Sequence, residues 1–250
     1  MFCAECGQRL ADGTNFCPHC GTPVARAPGT EPPRPAPNSN PGTASDLGFD
    51  AAYASELARG IIERVKNIVL SPSTEWPAIA AEASSTRTIY LNYVTPLVAI
   101  GVIAGILGHT LVGLPLPLIG TIRVGIAPAL AHAIVTFALS LVAVFLVALI
   151  VDALAPTFGG QKDPLAALKV TAYSYTPAWV ASVLNLIPAL GILVVLAAFY
   201  GIYLLYLGLP VLMRAPKDKA VGYTVVTVLC AMVMGIVIGS LSSLVMGGFI

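Results

Sequence analysis

VGIAPALAHAIVTFALSLVAVFLVALIVDAL fills residues 124–154 and contains one acidic residue, Asp152, one histidine, His132, and no lysine or arginine. As a helix it would be about 45 Å long, against a bilayer hydrocarbon core of about 30 Å. A helix on the surface of a soluble protein keeps a polar face, and this stretch has none, so its natural solvent is lipid. The whole chain agrees: 57% of residues are hydrophobic, 10% are charged, and mean hydropathy is +0.86. Such a composition excludes a soluble globular protein.

Outward from that stretch, the sequence contains four more runs of membrane length, giving five spans at Val94–Val112, Val124–Leu154, Tyr173–Leu190, Gly191–Met213 and Tyr223–Met246. The third and fourth are nearly continuous and turn at IPALG, residues 187–191, where Pro188 and Gly191 break the helix. The expected fold class is all-α: a polytopic bundle over 89–250 with a small amino-terminal zinc-ribbon module. Orientation follows from the basic residues. With the amino terminus in the cytoplasm, Arg59, Arg64, Lys66, Arg87, Lys162, Lys169, Arg214, Lys217 and Lys219 lie inside and only Arg123 lies outside. The carboxyl terminus then ends outside, and Tyr173, Tyr175 and Trp179 form part of an aromatic belt at the inner surface.

Residues 1–24 have a different character. Cys3, Cys6, Cys17 and Cys20 form two CxxC pairs, each followed by glycine, in CAECG (3–7) and CPHCG (17–21). Two thiolates per tight turn suit tetrahedral zinc, and a segment this short cannot bury a useful core without a staple. Disulfides or a redox dithiol would use the same residues. The beginning of the chain does not read as a signal peptide, which places the head among reduced thiols and favours zinc, with the metal structural because four sulfurs close its shell. Binding worth roughly 10–16 kcal/mol would fold the ribbon. His19 reads as a knuckle residue, and Cys230 as a small buried one.

Residues 25–48 are proline-rich and read as a disordered tether. In the segment 49–88, Phe49, Tyr53, Leu57, Ile61, Val65 and Val69 recur every four residues with charges between them, an amphipathic helix stopped by Ser71 and Pro72. A second short helix follows over about 74–83. Such helices lie along headgroups or dock a partner. Within the spans, Ala231, Gly235, Gly239, Ser243 and Gly247 make a small-residue ladder, a candidate face for a homo-oligomer, and Gly101, Gly105 and Gly113 repeat the pattern with His109 on the same stripe. His109 is therefore expected to face protein, and His132 to reach a similar depth. Two histidines without a carboxylate make a poor metal site. Asp152 is expected to meet water or Lys162, Asn185 to supply a single hydrogen-bonding group, and Tyr200, Tyr203 and Tyr206 to line the bundle.

No GxSxG, HExxH, phosphate loop or intramembrane aspartate pair is present, so an enzyme is not expected and no catalytic residue is assigned. Arg9 is the ribbon's only lysine or arginine and its charge is outweighed by Glu5 and Asp12, which argues against nucleic acid.

YSYTPAW (173–179), IPALG (187–191), YGIYLLYLGLP (200–210) and APKDKA (215–220) together resemble the carboxyl-terminal part of a bacterial Yip-domain protein, of the Ypt-interacting-protein family, over about 67–247. Residues 2–24 separately resemble the zinc-ribbon heads of bacterial membrane proteins. The resemblance implies five spans and a cytoplasmic amino-terminal region. Eukaryotic members organise membranes and bind prenylated GTPases, but the DLYGP-type motif before the first span is missing and SPSTEW (71–76) stands in its region, so GTPase binding is not carried over. The expectation is a non-enzymatic scaffold of the inner membrane that contacts lipid and an unidentified protein partner. A small-solute transporter or channel subunit using His109, His132, Asn185 and the tyrosines Tyr200, Tyr203 and Tyr206 is the alternative, and a zinc redox sensor a third class.

Overall fold

The computed structural model describes residues 51–116, 120–123 and 125–247; the expected ribbon (1–24) and tether (25–48) lie outside the described residues. Helix α1 (Ala51–Leu70) ends at Ser71, and α2 (Pro72–Ala81) starts on Pro72, whose missing N–H costs nothing in a first turn. Helix α3 covers Thr86–Val112, with wider π-type turns at Tyr90–Val94 and Gly108–Val112. The Ser85 hydroxyl caps its start by accepting from the Thr88 amide at 3.1 Å.

After Gly113, at φ 91°, the chain makes a short antiparallel hairpin of β1 (Leu114–Leu116) and β2 (Gly120–Ile122). The hydropathy pattern had not signalled it. Helix α4 (Ile126–Leu154) runs on into a 3-10 turn at Ala155–Phe158, and α5 (Pro164–Ser174) is capped by Asp163, which accepts from the Leu165 and Ala166 amides. Two long helices complete the bundle, α7 (Gly191–Leu212) and α8 (Ala220–Gly247).

Among the described residues, four helices are long and apolar enough to cross a membrane: Thr86–Val112, Ile126–Phe158, Gly191–Leu212 and Lys217–Leu241. The expected third span is not a regular helix. Its residues are split among the end of α5, a short α6 (Thr176–Ala181), and 3-10 turns at Ser182–Leu186 and Pro188–Leu190 separated by an extended Ile187. The cause is local: Pro177 has no N–H for the helix ladder and its ring crowds the preceding turn, while Pro188 ends the run.

The bundle has two distinct ends. At the far end are the hairpin and the 187–190 turn. At the near end, α1, α2 and α5 wrap the last turns of α7 in a core that includes Ile68, Trp76, Ile79, Val170, Leu204, Leu209 and Met213. The 33 residues of Ile126–Phe158 and the 28 of α8 would extend about 50 Å and 42 Å, more than the hydrocarbon needs, so their near ends can stand clear of it. The apolar stripe of α1 therefore faces protein over its second half: Ile61, Val65 and Val69 pack on this core and Ile68 is fully buried, whereas Tyr53 is exposed.

Candidate functional site

The near end holds most of the charge that the apolar bundle contacts. Arg64 of α1 donates from Nη1 to Glu75 Oε1 at 2.6 Å and from Nη2 to the Glu82 carboxylate, and its guanidinium sits 5.7 Å from the centre of the Tyr173 ring. Partial burial works against the Arg64 cation, but Tyr173, Glu82 and Glu75 outweigh it and its pKa is raised. One guanidinium thus ties α1 to both ends of α2, a role suited to its planar fork of donors.

Lys169 of α5 completes the clamp. Only 5% exposed, its Nζ donates to the carbonyls of Ile79 at 2.9 Å and Glu82 at 2.6 Å, groups left open where α2 ends. With Glu75 in its first turn and Lys169 at its last carbonyls, α2 has both ends of its dipole matched. Between them Trp76, 1% exposed, lies against Gly208 of α7, and Tyr200 of α7 donates to the last carbonyls of α1 at Val69, 2.7 Å away. Below, the rings of Tyr93 and Tyr173 pack at a 58° tilt with centroids 4.7 Å apart, and the Tyr93 hydroxyl bonds Thr176 at 2.8 Å. This arrangement joins α1, α2, α5 and α7 through charge-assisted bonds, a tyrosine hydroxyl and packed aromatic rings.

Several sequence expectations change here. Lys169 and Arg64 had been read only as inward positive charges. Tyr173 is a buried core residue, not part of a lipid-interface belt, because Tyr93 and Arg64 cover it; Tyr175 and Trp179 stack on each other at 5.8 Å. Of the tyrosine series, Tyr200 bonds α1 while Tyr203 and Tyr206 are exposed. Asp152 meets no lysine: its buried Oδ1 has no hydrogen-bond partner. Cys230 is half-buried. The signals that were legible in hindsight are the lysine inside LAALKVTAYS and the acid and tryptophan of SPSTEW.

A second polar feature lies toward the far end. His109, His132 and Asn185 line one cavity of about 230 Å³ between α3, α4 and the Ser182–Leu186 turn. His132 Nε2 stands 3.5 Å from Thr136 Oγ1. Gly101 and Gly108 hold this turn close: a Cβ on either would come 2.1 Å from Ser182 Oγ or from the Asn185 carbonyl oxygen. Gly105 has open space, and Gly113 serves the turn into β1 instead of a packing stripe. Among the described residues no three His, Cys, Asp or Glu side chains could hold a metal ion. On α8, Gly235 and Gly239 have nothing within 4 Å of where a Cβ would stand. Cys3, Cys6, Cys17 and Cys20 lie outside the described residues.

Four apolar helices, each long enough to cross a bilayer and carrying exposed Ile100, Ile134, Phe199 and Ile236, define a multi-pass membrane protein. Its family follows from comparison with family models: residues 66–239 match the Yip1 domain, and the chain belongs to the Yip1 domain family. Residues 2–24 match a zinc-ribbon domain. Neither the curated proteins nor the solved structures contain a significant match to the chain.

Proposed function

We propose that this protein is a non-enzymatic membrane scaffold that presents its zinc ribbon to a protein partner on a flexible tether. The observation that carries this reading is the clamp of Arg64 on Glu75 and Glu82 together with Lys169 on the end of α2. It anchors to the bundle the helices α1 and α2, which follow the ribbon and the proline-rich segment in the sequence. Cys3, Cys6, Cys17 and Cys20 are the residues that would hold one structural zinc, their four sulfur donors suiting a closed tetrahedral shell.

The proposed setting is the inner membrane of a bacterium, with the near end and ribbon in the cytoplasm, where the positive-inside bias puts Arg59, Arg64, Lys66, Lys162, Lys217 and Lys219. Five crossings are proposed, with the broken stretch as the third. In support, Ser182 sits against Gly101 and Asn185 against Gly108, so this stretch runs alongside α3 toward the far end.

The test is a mild-detergent pull-down from native membranes with zinc content and mass spectrometry read together. The intact chain is compared with the serine variant of the four cysteines and with Arg64→Met/Lys169→Met. The scaffold reading expects zinc and a defined partner set to vanish in the first variant, and the partners to weaken in the second with zinc retained. Partners that persist without zinc would sink it.

The shared His109, His132 and Asn185 cavity favours one alternative, passage of a small solute. Flux into liposomes that is lost in His109→Ala and His132→Ala but retained without the ribbon would establish it.

A further inference from the structure

A second cavity, of about 220 Å³, lies among α4, α5, α6, α7 and α8 on the other side of α5 from the clamp. Four hydroxyl-bearing residues line it, Thr171, Ser174, Tyr175 and Thr227; the hydroxyls of Thr171, Ser174 and Thr227, residues that are 1%, 6% and 0% exposed, have no hydrogen-bond partner. Buried hydroxyls are rarely left so, because each gives up its bond to water. Helical threonines usually return their hydroxyl to a carbonyl one turn back, as Thr224 does to Ala220 at 2.8 Å. Three that do not, around one cavity, are donors held open for something absent from the chain itself.

The rest of the wall indicates what that is. Thr171 is seven positions from the start of α5 and Thr227 seven from the start of α8, about 10 Å in from the near end. Ala178, Ala198, Ala231 and Met232 line the part further from it. By the same measure Val147 and Leu205 share the depth of the threonines, so the cavity's hydroxyls are set in an apolar wall toward the near end, and the part toward the middle of the bundle is apolar. Thr171 also shares its helical neighbourhood with Lys169 and Tyr173, on which the paired charges of the clamp sit, and charges of that kind belong at a polar interface and not in hydrocarbon. The cavity opens sideways, where Met232 is 58% exposed and Ala198 is also exposed, onto the surface that meets lipid tails. Its volume exceeds the 150 Å³ or so that houses a benzene ring.

We propose that this cavity is a binding site for one membrane glycerolipid. Its ester carbonyls accept from Thr171, Ser174 and Thr227, and one acyl chain runs past Ala178, Ala198 and Ala231 toward the bilayer centre. The match is of depth and of polarity: ester carbonyls lie at the edge of the hydrocarbon, bring acceptors but no donors, and continue into an apolar chain.

The test uses the full chain in nanodiscs of phosphatidylethanolamine and phosphatidylglycerol, with a fraction of the phosphatidylethanolamine carrying a diazirine in its acyl chain. After irradiation, adducts are mapped by mass spectrometry. Adducts at Ala178 and Ala231 are expected, and Thr171→Val/Thr227→Val lowers them about fivefold relative to adducts on the lipid-facing Val233 and Ile236. In lipid-free detergent the same variant unfolds at an unchanged or higher temperature, since no bond within the protein is lost. An unchanged adduct ratio, or a lower unfolding temperature that marks hydroxyls already bonded to trapped water, overturns the proposal. Ala198→Phe, a substitution at the exposed mouth, gives an independent check: it must lower the same ratio, and no change there overturns the proposal equally.

Discussion

The indole of Trp76 lies so close to Gly208 that a Cβ on that glycine would stand 2.8 Å from the ring, and 2.7 Å from Val170 Cγ2 on its other side. Trp76 is buried against the core and cannot swing aside, so an added methyl must push α2 away from α7. Gly208→Ala is expected to cost about 1–3 kcal/mol and Trp76→Ala about 3–5 kcal/mol, read from unfolding in detergent. A neutral Gly208→Ala would mean that α2 is not seated there.

Arg64 meets two carboxylates with separate nitrogens of one planar fork, a spacing that the single compact nitrogen of a lysine does not reproduce. Both Arg64→Lys and Arg64→Met are expected to destabilise the near end by about 1–3 kcal/mol, with Arg64→Met/Glu75→Gln recovering part of the loss because no acid is then left half-buried alone. The pKa of Arg64 is raised above its ordinary value, so its contribution is fully present below that ordinary value and is lost only as pH rises through the raised one. The stability gap between the intact chain and Arg64→Met should therefore stay level from neutral to about pH 10. A gap that closes in that range would mean the cation is not the group responsible.

Lys169→Met keeps the length of the side chain and removes its three donors, leaving the Ile79 and Glu82 carbonyls open. The expected cost is about 1.5–3 kcal/mol, with faster amide hydrogen exchange concentrated in α2. Exchange that rises evenly over the whole bundle would contradict a local capping role.

The three glycines of α3 should respond differently to the same methyl. Gly101→Ala and Gly108→Ala force the Ser182–Leu186 turn away, whereas Gly105→Ala meets no atom within 4 Å. The first two are expected to lose stability by about 1–3 kcal/mol and the third to remain neutral or gain slightly, since alanine favours helix. Equal effects at all three would contradict the close packing of this turn on α3.

Zinc analysis of the purified chain should find one ion per molecule, absent from the serine variant of Cys3, Cys6, Cys17 and Cys20, with the unfolding of the bundle unaltered. Loss of bundle stability together with the metal would mean that the ribbon also supports the bundle.

The sequence alone was enough for what depends on local composition. Apolar runs longer than a bilayer, a paired-cysteine head and the breaks at Ser71, Pro72 and Pro188 can each be read within one window, because hydropathy, metal-ligand spacing and the missing proline N–H act over a few residues. The near-end clamp could not be read that way. Arg64 and Glu75 are joined by the turn between α1 and α2, but Lys169 reaches Ile79 across 90 residues, and only packing decides whether a basic residue next to a membrane faces water, lipid or a helix end. Tyr173 was misplaced for the same reason: an aromatic near an interface looks alike from the sequence whether lipid or another tyrosine covers it. The prolines that break the expected third span are local, but only tertiary structure seats its turns on Gly101 and Gly108. It also gathered Thr171, Ser174 and Thr227 around one cavity, since which side chains share a space depends on how the helices pack together and not on the order of residues within any one of them.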